Sequence, residues 1–347
     1  MHRVIMALVC VGVSASGASA QSGEYWRGPL DIDFAVVRAA GNKADAPDEF
    51  FRRFGAVDYN YSISAFEVSN RQYAQFLNSV SGEGDPYGLW LPADGRRWHD
   101  EIRHFDNGRG GYRYEVVPGK ETNPVVRVTH RSIFRMMNWM HNGMQADIAT
   151  TDYGAYDTSQ WGFDPNGLYT DSMEPEPGAR YWLAREDEWY KAAYFDPNRH
   201  GSGEPGYWTY PTRHDEEPDT WYAQGADPEN SAIYDWPFSM PAGTVPGTFS
   251  PWGVYDMAGS GLEILGVWYT DGEPYGIAYA TRGSDFIGFP PLDDKANRFW
   301  AGAYFGGSYN LDRHTFRIVT GNIPGPASGS TLLLITLTLL RRNGRQQ

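Results

Sequence analysis

The sequence predicts an α+β protein in which a few helices and short strands are joined by many loops. Its 347 residues include 40 glycines and 23 prolines, which favour turns and interrupt regular structure. Aromatic residues make up 15% of the chain, and their large apolar surfaces can pin irregular segments to a core. Helical apolar spacing occurs in three segments, within residues 66–80, 128–143 and 185–197.

The first predicted helix follows a short strand and starts after Ser69. Residues 61–69 alternate enough between apolar and polar types to indicate the strand. Ser69 and Gln72 have the spacing of a capping box, in which each side chain binds the backbone N–H of the other residue. Apolar residues then recur at i, i+3, i+4 and i+7 and are predicted to form one buried face: Tyr73, Phe76, Leu77 and Val80.

The second helix is predicted to start after Thr129 and to stop at Gly143, because glycine suits the left-handed conformation beyond a helix end. In the third helix, acidic residues 186–188 fill the first turn, where the positive end of the helix dipole favours them. The dipeptide Asp196-Pro197 is predicted to end it. The inward-facing residues of the two helices are predicted to be Ile133, Met136, Met137, Met140, Trp189, Ala192 and Ala193.

Residues 21–320 are predicted to form a single domain, since they contain no long linker, repeat or low-complexity block. Before them, residues 1–20 have the pattern of a secretory signal. Arg3 precedes an apolar run that closes on small residues, with cleavage expected after Ala20. The competing interpretation, an N-terminal membrane anchor, is disfavoured because the apolar run is short.

Residues 321–347 have three parts: a Pro/Gly/Ser joint, the short apolar run Thr331–Leu340, and a terminal cluster of arginines. The run is shorter than the about 20 residues that a bilayer span needs. The tail resembles a bacterial PEP-CTERM sorting signal, although Pro324-Gly325-Pro326 replaces the usual Pro-Glu-Pro. The resemblance implies an exported bacterial protein of the cell surface or extracellular matrix that associates transiently with the membrane through this segment. An ordinary buried helix is the competing interpretation.

The formal net charge of the chain is −14. Binding to a nucleic-acid backbone depends on Lys and Arg contacts to phosphates, so a nucleic-acid partner is not expected. The only cysteine is Cys10, inside the predicted signal. The body of the protein is therefore predicted to contain neither a thiol nor a disulfide.

Six segments in order resemble the formylglycine-generating enzyme family, also called the sulfatase-modifying factor domain. The similarity extends over roughly residues 33–320 and implies the family's C-type-lectin-like variant fold. That fold has a small twisted antiparallel sheet, flanking helices and much irregular chain. The segments that carry the resemblance are FEVSNRQYAQFLNSV (66–80), NPVVRVTHRSIFRMMNWM (123–140), YWLAREDEWYKAAYFDP (181–197), FSPWGVYDMAGSGLEIL (249–265), TRGSDF (281–286) and HTFRIV (314–319).

Enzymes of this family oxidise a sulfatase cysteine to formylglycine with O₂ and copper, and two active-site cysteines near the C-terminal end hold the copper. Soft thiolates suit Cu(I), but residues 298–319 of this chain contain no cysteine. Formylglycine generation and bound copper are therefore not expected. A related branch uses a three-histidine iron site. The eight histidines here include no His-x-x-x-His pair, and His99 and His104 are interpreted as surface or loop residues.

The resemblance also implies a structural calcium site. In the family, the turn that matches residues 255–263 holds calcium through two side chains and backbone carbonyls, and calcium prefers such hard oxygen ligands. The matching ligands are the side chains of Asp256 and Glu263 and the carbonyls of Gly259 and Gly261. Asn230 resembles a ligand of the family's second calcium site. The competing interpretation of the turn is an acidic segment with capping roles only.

Two functional hypotheses follow. The first is an exported, non-catalytic binding or structural module that presents aromatic loops, with their Trp and Tyr side chains, to an extracellular polymer or protein. The second is a metal-dependent oxidoreductase of the same superfamily with Asp, His or Tyr ligands instead of cysteine. A tightly held redox metal in the purified protein would distinguish the second from the first.

Overall fold

The fold was analysed in a computed structural model, which describes residues 23–48, 52–91, 101–165, 169–234, 236, 239–269, 278–284, 299–302 and 313–321. The predicted signal, most of the predicted sorting tail and His99 lie outside these residues. The α-helices of the described part are α1 (Asn70–Val80), α2 (His130–His141) and α3 (Glu186–Tyr194).

The strands of the described part are short, as the abundance of glycine and proline predicts. In chain order they are β1 (Tyr25–Arg27), β2 (Asp33–Val37), β3 (Tyr61–Ser64), β4 (Ile102–Asp106), β5 (Tyr112–Val116), β6 (Trp182–Leu183), β7 (Phe195–Asp196), β8 (Gly206–Tyr207), β9 (Asp219–Thr220), β10 (Ser231–Ala232), β11 (Leu262–Tyr269), β12 (Ala278–Arg282), β13 (Phe299–Gly302), β14 (His314–Thr315) and β15 (Ile318–Thr320).

Two main sheets organise the chain. The first is antiparallel and runs in the order β1-β2-β3-β15-β6, so a strand from the C-terminal part of the domain lies between β3 and β6. The second runs in the order β13-β12-β11-β14, with β14 parallel to β11 and the other pairs antiparallel. The predicted fold class, with few helices, small sheets and many loops, is confirmed.

The predicted helix caps are present. The Ser69 hydroxyl accepts a hydrogen bond from the Gln72 N–H at 3.3 Å, and the Gln72 side chain accepts from the Ser69 N–H at 2.9 Å. Thr129 exchanges the same pair of bonds with Ser132 at the start of α2. Beyond the end of α2, Gly143 has a φ of 78°, in the left-handed region that was predicted for it.

The third helix departs from the prediction at its end. It stops at Tyr194 instead of reaching Asp196-Pro197, because Phe195 and Asp196 pair as β7 with β8. At its start, the Arg185 N–H donates to the Glu188 carboxylate at 2.8 Å. The first-turn carboxylate thus satisfies a backbone donor that lies outside the helical hydrogen-bond ladder.

The apolar faces predicted for the three helices are buried. The side chains of α1 and α2 pack with Ile264, Phe316 and Ile318 in one cluster, whereas Trp189, Ala192 and Ala193 of α3 pack with β2, β3 and Val319 in another. Strand β15 contributes to both clusters, with Ile318 in the first and Val319 in the second. His104 lies on β4 with an exposed side chain, in agreement with its interpretation as a surface or loop residue.

No helix in the described ranges has both the length and the apolar character needed to cross a bilayer.

Candidate functional site

The segment predicted to bind calcium forms a tight turn that leads into β11. Asp256, Gly259 and Ser260 all have positive φ angles, of 55°, 71° and 67°. The Gly259 carbonyl accepts a hydrogen bond from the Gly261 N–H at 2.8 Å. A Cβ atom on Gly259 would lie 2.3 Å from the carbonyl oxygen of Ile233, so only glycine fits this backbone approach. The turn is held in place by close packing.

Glu263 points from the start of β11 into the protein and binds a buried arginine. Its two carboxylate oxygens each lie 2.9 Å from the Nε of Arg317. The indole N–H of Trp189, on α3, donates to the same carboxylate at 2.8 Å. All three side chains are buried. This contact joins β11, α3 and the segment before β15, three elements that are distant in sequence.

Two further carboxylates surround the same guanidinium. Glu67, between β3 and α1, has an oxygen 3.4 Å from an Arg317 terminal nitrogen. Asp256 accepts a hydrogen bond from the Gly243 N–H at 2.6 Å, and its charge interacts with that of Arg317. Arg317 also donates to the backbone carbonyls of Ser64 and Tyr255, at 3.2 and 2.6 Å. We call Glu67, Asp256, Glu263 and Arg317 the Arg317 cluster.

The Arg317 cluster contains more negative than positive groups. Burial raises the pKa of Asp256 and Glu263 and raises that of Glu67 well above its usual range, although the charge of Arg317 opposes each shift. Burial alone would lower the pKa of Arg317, but the charges of Glu263 and Glu67 outweigh it and raise that pKa. The single guanidinium therefore offsets the cost of burial only in part, and all three carboxyl groups ionise less readily than they would in water.

The residues predicted to bind calcium are already engaged within the protein. Glu263 is bound by Arg317 and Trp189, and the Gly259 carbonyl is bound by the Gly261 N–H. No group of three or more His, Cys, Asp or Glu side chains in the described residues is placed to hold a metal ion. Calcium takes six to eight oxygen ligands. In this arrangement two of the four predicted ligand groups at the turn already have hydrogen-bond partners within the protein, and the calcium site stays a prediction.

Asn230 is not brought into the Arg317 cluster. Its side-chain oxygen accepts from the Thr212 hydroxyl at 2.6 Å, and its amide donates to the backbone carbonyls of Glu216 and Glu217 at 3.3 and 3.4 Å. These bonds brace the loop before β9 against the start of β10. They satisfy the backbone of an irregular segment, which is a structural role.

A wide cleft lies at the N-terminal end of α3. It has a volume of about 410 Å³, within the range of about 300–1,000 Å³ that is usual for ligand pockets. At its wall the Tyr59 hydroxyl donates to the Glu188 carboxylate at 2.6 Å, and the Trp182 indole donates at 3.0 Å. Burial raises the pKa of Glu188 in spite of these bonds. The charged residues that line the cleft are mostly acidic: Asp58, Glu174, Glu186, Asp187, Glu188, Arg53 and Arg185.

The profile of the sulfatase-modifying factor enzyme 1-like domain matches residues 41–320. The chain belongs to this family. A match over most of the chain, together with the two sheets and three helices described above, confirms the resemblance found in the sequence. No curated protein matches the sequence significantly.

Solved structures are similar to the chain in fold. The structure of PvdO from Pseudomonas aeruginosa is 16% identical, with 87% of this chain and 99% of that chain covered and a TM-score of 0.50. Treponema denticola variable protein 1 is 13% identical, with coverages of 86% and 99% and a TM-score of 0.48. CarF is 16% identical, with coverages of 84% and 98% and a TM-score of 0.47. At such identities the likeness concerns the fold alone.

Glu67 and Arg317 were part of the sequence segments that indicated the sulfatase-modifying factor family, but they were not identified as site residues. Each is a charged residue inside an otherwise apolar stretch, FEVS and FRIV. A charged side chain between buried apolar neighbours requires an ion-pair or hydrogen-bond partner. This requirement is the signal in the sequence that both residues have a partner. The identity of the partners could not be found from spacing, because the two residues are 250 positions apart in sequence.

The aromatic loops were predicted to expose tryptophan as well as tyrosine side chains, and the structure differs for tryptophan. Among the described side chains, the large exposed ones are tyrosines and phenylalanines, and the tryptophans are at least partly buried. The indoles fill the spaces beneath the loops, where their size contributes most to packing. The exposed aromatic residues are Tyr25, Tyr59, Tyr87, Phe105, Tyr112, Tyr153, Phe163 and Tyr222.

Arg317→Met is expected to lower the free energy of unfolding by about 3–5 kcal/mol, because it leaves buried carboxylates without their counter-charge. Urea denaturation measures the change. Arg38→Met is the matched control, since Arg38 pairs with Glu24 at 2.6 Å on the exposed surface, and its loss is expected to cost less than about 1 kcal/mol. Equal losses for the two variants would contradict a central role for the cluster.

Glu67→Gln is expected to raise the Tm relative to the wild type at neutral pH and to leave it unchanged near pH 4. Because folding raises the pKa of Glu67, the native state keeps a proton that the unfolded chain releases, and stability falls as pH rises through this window. Glutamine cannot ionise and avoids this loss. Melting curves from about pH 4 to 8 in phosphate and acetate buffers test the effect. A difference in Tm that is independent of pH would refute it.

Proposed function

We propose that this chain is an exported binding module built on the sulfatase-modifying factor fold, without formylglycine-generating activity. The observation that carries the proposal is its cysteine content, because the single cysteine is Cys10, within the predicted secretory signal. In the enzymes of the family, two cysteine thiolates hold the copper. After removal of the signal, this chain offers no soft ligand of that kind.

The Arg317 cluster supports a structural role for the residues that the chain retains from the family pattern. Its members are buried, and three of them make bonds that connect separate elements of the fold. A group that is fully enclosed and already paired contributes to the shape of the domain. The scaffold is thus maintained by interactions that do not depend on catalysis.

Binding is supported by the cleft at α3 and by the exposed aromatic side chains. The cleft combines a mostly acidic lining with Tyr59 and Phe54, and it is large enough for a small organic ligand or a side chain of a partner. Tyrosine offers apolar area and a polar hydroxyl together, as a contact to a surface polymer or protein requires. An extracellular polymer or protein is accordingly the proposed partner.

Export rests on the two ends of the sequence. Residues 1–20 supply the proposed signal, and residues 321–347 supply a PEP-CTERM-like sorting and membrane segment. The formal net charge of −14 is compatible with an extracellular location. It disfavours binding to the phosphates of a nucleic acid.

The alternative, a metal-dependent oxidoreductase with ligands other than cysteine, predicts copper or iron in the purified protein. In the described part of the chain, no three or more candidate ligands meet at a metal position. Elemental analysis of the exported protein separates the hypotheses. Stoichiometric copper or iron would favour the enzyme, whereas stoichiometric calcium would support the turn at residues 255–263 as a structural site.

The exported protein is expected to leave a sulfatase-derived cysteine peptide unchanged in the presence of O₂ and copper. The protein lacks the pair of thiolates that holds Cu(I) next to the substrate cysteine in the enzymes of the family. Mass spectrometry of the peptide, combined with an aldehyde-reactive hydrazide, measures conversion. A cysteine-containing enzyme of the family, treated in parallel, is the positive control. Aldehyde formation above the level seen without protein would overturn the proposal.

The full chain expressed in a bacterial host is expected to start at Gln21 after export. The reason is that the apolar run after Arg3 ends in small residues that suit a signal peptidase. N-terminal sequencing of the protein from each cell fraction tests this. Leu8→Arg, which interrupts the apolar run, is expected to remain unprocessed inside the cell. Retention of Met1 in the unmodified protein would argue against export.

A further inference from the structure

A cluster of three aromatic side chains lies at the surface next to the paired strands β9 and β10. The ring centroids of Trp221 and Tyr222 are 5.8 Å apart, and those of Trp221 and Trp236 are also 5.8 Å apart. The third separation, between Tyr222 and Trp236, is 5.3 Å. Tyr222 is 44% exposed, and both tryptophans are partly exposed. We call these three side chains the Trp221 surface.

The Trp221 surface is held in place from beneath. Both tryptophans pack against the buried side chains of Ile233 and Val245. The Trp221 N–H donates to the carbonyl of Ala232 at 3.0 Å, which ties the cluster to β10. Because the three centroids form a compact triangle, a group above it can lie within about 6 Å of all three, the range of a cation–π contact. A ligand would therefore meet rings that are already ordered.

The chain around the Trp221 surface is strongly acidic. Residues 214–281 contain eleven Asp and Glu residues and no Lys or Arg, so this stretch carries most of the net charge of −14. Asp215 pairs with Arg199. Five further acids of the same loop have exposed side chains that form no ion pair with a residue that the structure describes: Glu216, Glu217, Asp219, Asp227 and Glu229.

The acids next to Trp221 keep their negative charge uncompensated. Asp219 precedes Trp221 by two residues, and its carboxylate accepts a hydrogen bond from the Asp227 N–H at 2.9 Å, which holds two acidic residues together. Arg213 is directed elsewhere, since its Nε donates to the Phe249 carbonyl at 3.0 Å and its guanidinium lies 3.9 Å from the centre of the Phe249 ring. Aromatic faces beside unpaired carboxylates favour a positively charged ligand.

We propose that the Trp221 surface binds a polysaccharide built from amino sugars, in its protonated form. The C–H face of a sugar ring packs on an aromatic ring, and the ammonium group on the same sugar is attracted both by the aromatic quadrupole and by the neighbouring carboxylates. The positive charge of such a polymer complements the acidic loop at residues 214–230. Each sugar thus satisfies the two features that this part of the protein presents together.

The exposed rings favour an amino-sugar polymer over a lysine-rich protein. A lysine places its charge at the end of a flexible four-carbon stem, which must be ordered on binding at a cost in conformational entropy. An amino sugar carries its ammonium directly on a rigid ring, so the apolar face and the charge arrive in a fixed relation and little entropy is lost. A neutral polysaccharide would use the rings but would leave the acids of the loop without a partner.

This inference deepens the proposed binding function, because it names the class of polymer, and it rests on that function. The two can fail separately, since sugar binding and the formylglycine assay measure different properties. Absence of binding to an amino sugar would leave the lack of formylglycine-generating activity intact. Aldehyde formation would leave the Trp221 surface to be judged on its own titrations.

The test is a calorimetric titration of the exported protein with a β-1,4-linked glucosamine hexamer at about pH 6, where amino groups are protonated and ordinary Asp and Glu side chains are ionised. The N-acetylated hexamer is the matched probe, because it has the same sugar rings without the positive charges. We expect saturable binding of the glucosamine hexamer and binding of the N-acetylated hexamer that is weaker by about tenfold or more.

Variants of the Trp221 surface separate the contribution of the ring from that of the charge. Tyr222→Ala removes an exposed ring and is expected to weaken the glucosamine hexamer by about tenfold. Tyr222→Phe keeps the ring and is expected to retain the affinity. Asp219→Asn removes one charge but keeps an oxygen for the Asp227 N–H, and it is expected to weaken binding by about threefold. Melting curves establish that each variant is folded.

Glu115→Gln is the matched control for the charge of an acidic protein. Glu115 lies exposed on β5 beside Arg113, and its variant is expected to bind like the wild type. Equal affinity in the wild type and in Tyr222→Ala, or no binding of the glucosamine hexamer at all, would overturn the proposal. Equal binding of both hexamers would overturn it in favour of a neutral polysaccharide. Binding of hexalysine that is lost in Tyr222→Ala, with no response to either sugar, would overturn it in favour of a protein partner.

Discussion

The guanidinium of Arg317 is the interaction on which the rest of the structure depends. It binds Glu263 at the start of β11, the carbonyl of Ser64 at the end of β3 and the carbonyl of Tyr255 in the turn before β11. Through Glu263 it also reaches Trp189 on α3. A planar group with five donors can join several elements from one position, which lysine cannot do. In a domain with short strands, such a connection replaces the long hydrogen-bonded ladders that hold larger sheets together.

The Arg317 cluster includes both carboxylates of the acidic turn at residues 255–263. The family pattern predicts Asp256 and Glu263 as calcium ligands, and in the structure the guanidinium of Arg317 donates to Glu263. Arginine is permanently charged, so it balances a carboxylate without any metal. The single positive charge of Arg317 can balance only one of the three carboxylates in the cluster. Burial raises the pKa of each of the three carboxyl groups, and the charge of Arg317 opposes these shifts only in part.

The chain combines the fold of the family with a lack of cysteine after Cys10. The sulfatase-modifying factor fold is present from β2 to β15, with capped helices and two buried clusters, while the thiols of its enzymes are missing from residues 21–347. The fold needs buried apolar faces and the Arg317 connection, and none of these requires cysteine. The described residues also form a cleft with a mostly acidic lining at the N-terminal end of α3 and expose tyrosines and phenylalanines at the surface.

The sequence by itself determined the local features: the capping boxes at Ser69 and Thr129, the buried helix faces, the α+β class, the family, and the lack of thiols after Cys10. These depend on spacing within a few residues or on residue type alone. Only the tertiary structure decided that Glu67, Asp256, Glu263 and Arg317 meet, that α3 ends at Tyr194, and that tryptophans lie beneath the surface. The physical reason is that these outcomes depend on which distant segments pack together, and pairing over 250 residues leaves no periodic trace in the chain.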